Sequence, residues 1–181
     1  MNDNSKIFTH KDNNNFEILK NKNFPSISLP NQEGNLLRLN RNDTFRMVMY
    51  FFSMTGRPDR PLPPNWNKIP GAKGCTYQTC SFRDYYDQII SLNAIPVGIS
   101  TQTVIDNKEM TQRLSVPYDV LSDEKLELKN LLNLPTFSIN KKEYLRRLTI
   151  IVEKNIIKKV FYPIYIVEKH IDEVLKWLKE N

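Results

Sequence analysis

Thiols are scarce in this chain: 181 residues contain two cysteines, Cys75 and Cys80. Histidine is equally rare, with His10 and His170 near opposite ends and no ligand spacing between them, which excludes a four-ligand zinc site. No C-x-x-C is present, so the motif of a thioredoxin-type reductase is missing. No apolar run approaches the roughly 20 residues of a membrane span, and no apolar stretch follows the polar N-terminal segment as in a secretory signal. The expected compartment is the cytoplasm, where thiols stay reduced and a lone pair is more readily chemical than structural. The net charge is +6 and the pI near 9.2, yet lysines are interspersed with Asp and Glu, and no helix carries a dense basic stripe with interleaved aromatics. That excludes nucleic acid as the expected partner and leaves a solvated, slightly basic surface.

What is present fits one domain with a single core: 40% of the residues are hydrophobic and no internal repeat divides the chain. Residues 1–23, rich in Asn, Lys and Asp, read as a flexible polar arm, and 24–181 as the folded domain. "FPSISLP-NQEG-NLLRLN" predicts an N-terminal β-hairpin, and "FRMVMYFF" (45–52) a central strand buried on both faces. Residues 53–74 are dense in Pro and Gly and predict a long irregular loop. Phe82, Tyr85, Tyr86, Ile89 and Ile90 recur at helical spacing, which predicts one helix from Cys75 to near Asn93. "AIPVGIST" and "YDVLSD" predict further strands, each followed by a helix, and Pro135 stops the second of these. "RRLTIIVEKNIIKKVFYPI" predicts a hairpin turning near Glu153–Asn155, and the chain ends as an amphipathic helix on Ile171, Val174, Leu175 and Leu178. The fold class is therefore α/β: a central mixed sheet flanked by helices, parallel in the middle with an antiparallel pair at one edge, in the pattern of a thioredoxin-like fold with an N-terminal β-hairpin extension.

A thiol attacks as its anion, and an ordinary cysteine, with a pKa of about 8.5, is mostly protonated at neutral pH. Cys75 sits where the predicted helix starts, so unpaired N–H groups and the positive end of the helix dipole favour the anion. Residues i and i+5 of a helix have Cα atoms roughly 8–9 Å apart, whereas a disulfide needs about 4.4–6.8 Å. If both cysteines are helical they cannot join unless the first turn unwinds, which describes a two-state device. Taken alone, the spacing also allows two buried structural cysteines.

The residues around the pair narrow the choice. "PGAKGCTYQTCSFRDYY" resembles the "PGCTxEACxFRD" signature of the peroxiredoxins (AhpC/TSA family), in particular the bacterioferritin-comigratory, Q-type branch. "VMYFF", "PVGIST", "YDVLSDEKLELKNLLNL" and "RRLTIIVEKNIIKKVFYP" are similar to that family's strands and its "FPLLSD" segment, so the likeness spans roughly residues 24–180. The resemblance implies a thiol-dependent peroxidase without metal or organic cofactor. In it Cys75 is the peroxidatic thiolate that reduces hydrogen peroxide or an alkyl hydroperoxide, and Cys80 is the resolving thiol that closes an intramolecular disulfide. A reductant of thioredoxin or glutaredoxin type restores both. The family's "R-x-T" match places the thiolate-stabilising arginine at Arg147, with Arg146 as rival, since neighbours on a strand face opposite ways. An internal resolving thiol suits a monomer or weak homodimer.

One departure stands out. Peroxiredoxins carry P-x-x-x-[TS]-x-x-C, but here position −3 from Cys75 is Ala72 and position −7 is Lys68. The segment 53–74 looks like an insertion; Ser53 stands where the Pro is expected, and Thr55 is the candidate for the missing hydroxyl. Two other readings keep the fold: a redox sensor that turns over poorly, and a thiol–disulfide oxidoreductase acting on proteins.

Overall fold

In the computed structural model, residues 16–41 and 44–181 are described. The apolar run at the centre becomes β3 (Arg46–Phe51), after β1 (Ser28–Pro30) and β2 (Leu36–Arg38), which form the N-terminal hairpin. Successive side chains of β3 alternate between two cores. Met49 and Phe51 pack on one side of the sheet; Val48, Tyr50 and the following Phe52 pack on the other. A strand covered on both faces needs no polar side, which is why its sequence does not alternate.

The five-stranded sheet has the order β5-β4-β3-β8-β9. β4 (Ala94–Ser100) and β5 (Val120–Ser122) run parallel to β3, while β8 (Leu148–Glu153) and β9 (Ile156–Phe161) add antiparallel strands at the other side. Lys154 and Asn155 join β8 to β9 with φ of 48° and 63°, a two-residue turn of left-handed residues whose twist matches the right-handed twist of the strands. One face is covered by α1 (Cys75–Asp84), α2 (Tyr86–Ser91), Met110 of α3 (Val104–Arg113) and α5 (Val167–Glu180). The other is covered by Leu128 and Leu132 of α4 (Glu127–Leu132), the N-terminal hairpin and Phe16. The predicted α/β sheet with helices on both faces is what forms.

Three local features differ from expectation. The single helix predicted from Cys75 to Asn93 breaks at Tyr85, whose φ of −103° and ψ of 15° separate α1 from α2. Tyr86 then stacks near Tyr118 at 6.1 Å and Ile89 enters the core. A further hairpin, β6 (Thr136–Ile139) and β7 (Lys142–Leu145), forms where no element was predicted. It turns on Asn140 and Lys141, both with positive φ.

The third concerns the N-terminal arm. Its first 15 residues lie outside the described residues, but residues 16–23 are folded onto the sheet. Phe16 opens a 3-10 turn (Phe16–Leu19) and meets the Tyr162 ring edge-on at 4.9 Å. The Asn21 amide donates to the Ile157 carbonyl at 2.7 Å and the Ile157 amide to the Lys22 carbonyl at 2.9 Å. Burial of the Phe16 ring, worth about 2–3 kcal/mol, acts together with these hydrogen bonds and the packing of Leu19 to hold an otherwise polar segment.

Candidate active site

Cys75 is the first residue of α1 and is buried, at 3% exposure. The chain enters the helix through Gly74, whose φ of 92° favours glycine. Space is tight as well: a Cβ there would lie 3.3 Å from Arg147 Nη1 and 3.4 Å from Val167 Cγ2. Arg147 immediately precedes β8 and is itself buried. Its Nη2 donates to the Lys73 carbonyl at 2.7 Å and lies 3.4 Å from Cys75 Sγ. The guanidinium thus straps the chain on one side of the helix mouth and reaches the sulfur on the other. Its neighbour Arg146 faces the loop instead, donating to the carbonyls of Thr136 and Pro70 and lying 5.6 Å over the Phe137 ring. Of the two arginines weighed from the sequence, Arg147 is the one beside the sulfur.

Two more groups meet that sulfur. The Ala72 carbonyl is 3.6 Å away and can accept from the thiol, and Ser53 Oγ lies at 3.2 Å. Thr55, the candidate from the sequence, does not supply this hydroxyl: its Oγ1 and its amide both donate to Gln102 Oε1, at 3.3 and 2.9 Å. The physical reason is that Gln102, fixed at the end of β4, captures the chain two residues beyond Ser53. No spacing rule could have found Gln102; Ser53 was visible only as the residue in the place of a proline.

Cys80 lies five residues along α1 and is partly exposed. Both cysteines are free and both are helical, so their Cα atoms are roughly 8–9 Å apart by helix geometry. Between them the helix is tied down at Thr79. The Tyr118 hydroxyl donates to the Thr79 carbonyl at 2.9 Å; Tyr50 Oη lies 3.0 Å from Tyr118 Oη and 3.3 Å from Thr79 Oγ1. Burial pushes both phenols well above their ordinary range, so they remain neutral hydrogen-bonding groups.

Behind Arg147, Thr149 Oγ1 is 2.8 Å from His170 Nε2 on α5. Burial first, and the nearby Arg147 charge second, lower the His170 pKa to about 4. The ring is thus a neutral member of the helix stripe, flanked by Phe161 and Phe82. Its spacing to Val174 and Leu178 marks it as core-facing, although no histidine role was predicted.

The insertion is ordered by its own small core. Trp66 packs against Phe137 and Tyr144 of the β6–β7 hairpin, with ring centroids 5.7 and 5.1 Å away, and joins Ile69 and Ala72. The other end of the loop is latched to α3: Arg57 and Arg60 each meet Asp106 at 3.1 Å, and Arg113 Nη2 donates to the Gly56 carbonyl at 3.0 Å. Trp66 thus wedges the insertion against the hairpin a few residues before the chain reaches Cys75. A cleft of about 420 Å³ opens beside Arg147, lined by Gly71, Lys73, Phe137, Tyr162 and Val167 among others. Among the described residues no cluster of His, Cys, Asp and Glu could hold a metal, and no helix is long and apolar enough to cross a membrane.

Comparison with known proteins places this geometry. Peroxiredoxin Q of Suaeda salsa is 28% identical over 156 residues, covering 86% of this chain and 65% of the relative. This chain thus spans a little under two thirds of that protein. Peroxiredoxin Q of Arabidopsis thaliana is 27% identical over 164 residues, covering 90% and 68%. Both are named as chloroplastic. Among solved structures, peroxidoxin BcpB of Mycobacterium tuberculosis superposes with a TM-score of 0.72 at 21% identity, covering 89% of this chain and 96% of that one. PrxQ of Xylella fastidiosa gives 0.70 at 16%, covering 88% and 96%. These structures share the thioredoxin-like peroxiredoxin fold. The model of the AhpC/TSA family matches residues 67–160, just over half of the sequence and inclusive of Cys75, Cys80 and Arg147, and the chain belongs to that family.

Proposed function

We propose that this protein is a thiol-dependent peroxidase. The observation that carries the reading is the buried Cys75 sulfur at the first turn of α1, 3.4 Å from Arg147 Nη2. A guanidinium and a helix N-terminus converge on this one sulfur, the surroundings in which reactive cysteines are found. The thiolate attacks the proton-bearing oxygen of a hydroperoxide. An S–O bond forms, the O–O bond breaks, and the electron pair leaves with the far oxygen, which takes up a proton to become water or an alcohol. Sulfur is oxidised to the sulfenic acid. Donors already in place lower the barrier because they need no reorganisation as charge moves from sulfur to oxygen.

The helical placement of both cysteines supports Cys80 as the resolving thiol only after the turn 75–79 unwinds. Its sulfur then attacks the sulfenic sulfur, water leaves, and the disulfide closes. An external dithiol of thioredoxin or glutaredoxin type reduces that bond by exchange. Because the resolving thiol is internal, one chain completes the cycle, and the reading places the protein in a reducing compartment such as the cytoplasm.

Stopped-flow oxidation of the reduced protein by hydrogen peroxide and by an alkyl hydroperoxide, followed by intact mass, tests this. The expected result is oxidation orders of magnitude faster than free cysteine, with Cys80→Ser trapping a sulfenic or over-oxidised Cys75. A rate no faster than free cysteine overturns the reading. Steady-state turnover with a thioredoxin system, together with failure to reduce insulin, separates a peroxidase from a sensor and from a protein oxidoreductase.

A further inference from the structure

We propose that Ser53 is a catalytic residue of this site, donating its hydroxyl first to the Cys75 thiolate and then to the departing peroxide oxygen, on which the charge collects; this rests on the peroxidase reading above. Three observations carry it. Ser53 Oγ lies 3.2 Å from Cys75 Sγ and the residue is 1% exposed, so the contact is shielded from water. The two positions from which a hydroxyl was expected do not provide one. Residue 72, three before Cys75, is alanine, and the Thr55 hydroxyl is engaged by Gln102 Oε1. Finally, the chain is anchored on both sides of Ser53, before it by the Phe52 amide donating to the Ile99 carbonyl at 3.0 Å. The Thr55 amide donates to Gln102 Oε1 at 2.9 Å, while Gln102 is fixed by its own amide to Ser100 Oγ at 3.2 Å and by Ser122 Oγ to its carbonyl at 2.6 Å.

The chemistry follows from the donor count. A thiolate only accepts, so Ser53 must donate to it, from the end of β3, while Arg147 donates from the start of β8. When the S–O bond forms, negative charge leaves the sulfur for the departing oxygen. A hydroxyl rotates about one bond and can follow that charge, whereas Arg147 Nη2 stays tied to the Lys73 carbonyl. Ser53 thus supplies from the strand end what Ala72 cannot supply from the helix mouth.

The test compares two reactions of Cys75 in Ser53→Ala: oxidation by hydrogen peroxide and alkylation by iodoacetamide, which has no O–O bond. Oxidation is expected to slow by about ten- to a hundred-fold, the worth of one hydrogen bond to a charged group. Alkylation is expected to change by less than about five-fold, because it lacks the oxygen that the hydroxyl follows. Ser53→Thr, which keeps the hydroxyl, should recover most of the peroxide rate. Ser53→Gly repeats the test if the alanine variant does not fold. An oxidation rate within about three-fold of wild type, or equal losses in both reactions, overturns the role. If the wild-type protein itself oxidises no faster than free cysteine, the peroxidase reading fails and this proposal with it; a reactive wild type matched by Ser53→Ala sinks this proposal alone.

Discussion

Arg147 Nη2 sits 2.7 Å from the Lys73 carbonyl and 3.4 Å from Cys75 Sγ, so one nitrogen joins the strand, the active-site loop and the sulfur. Lysine cannot reproduce that planar fork. Arg147→Lys is expected to lower the second-order rate with hydrogen peroxide by about a hundred-fold, the typical loss of one positioned donor. Arg146→Ala, which removes contacts to Thr136, Pro70 and the Phe137 ring but none to Cys75 Sγ, should cost less than ten-fold. Stopped-flow oxidation of both variants measures the contrast, and equal losses would contradict it.

The hydrogen bond from Tyr118 to the Thr79 carbonyl holds the wound helix at the end of the turn that must open. Tyr118→Phe removes it while keeping the ring. One such bond is worth about 1 kcal/mol, so closure of the Cys75–Cys80 disulfide after oxidation should speed up by about five-fold. The readout is the rate of thiol loss after a single equivalent of peroxide; unchanged or slower closure would count against unwinding of this turn.

His170 is neutral in the fold, with a pKa lowered to about 4 by burial and by Arg147, against an ordinary value of about 6.5. Between these values the unfolded chain binds the extra proton, so the stability associated with the neutral ring is complete above pH about 6.5. It is lost as pH falls from there to about 4. The full loss is about 3 kcal/mol. His170→Gln should flatten that part of the curve, which urea midpoints recorded from pH 7 to 4 for both proteins would reveal. Glu173, whose Oε2 is 3.5 Å from Nδ1, contributes little because its carboxylate is largely exposed.

Trp66 wedges the insertion onto the β6–β7 hairpin and is 3% exposed. Trp66→Ala should destabilise the fold by about 3 kcal/mol and slow peroxide oxidation, because Ile69–Lys73 lead directly into the helix mouth. Chemical denaturation and stopped-flow oxidation check the two effects; an unaltered oxidation rate would show that the wedge does not position Cys75.

Much of the architecture was legible because its cause is local. The unbroken apolar run of β3, the hairpin turn near Glu153–Asn155 and the apolar stripe of α5 follow from side-chain spacing and backbone sterics, and each is found where the sequence puts it. The β6–β7 hairpin was missed because each arm is only four residues long and "KEYL" does not alternate, and it is fixed by packing against Trp66, 70 or more residues earlier.

By itself, the sequence determined an α/β sheet, a thiol at a helix mouth and a second thiol on the same helix, since all three depend on neighbours within a few residues. Tertiary structure decided which arginine meets the sulfur, that Thr55 belongs to Gln102, and that the hydroxyl beside Cys75 is that of Ser53. Those choices depend on which way side chains point where β3, β4 and β8 converge, and such directions are set by packing between distant segments, which spacing along the chain does not encode.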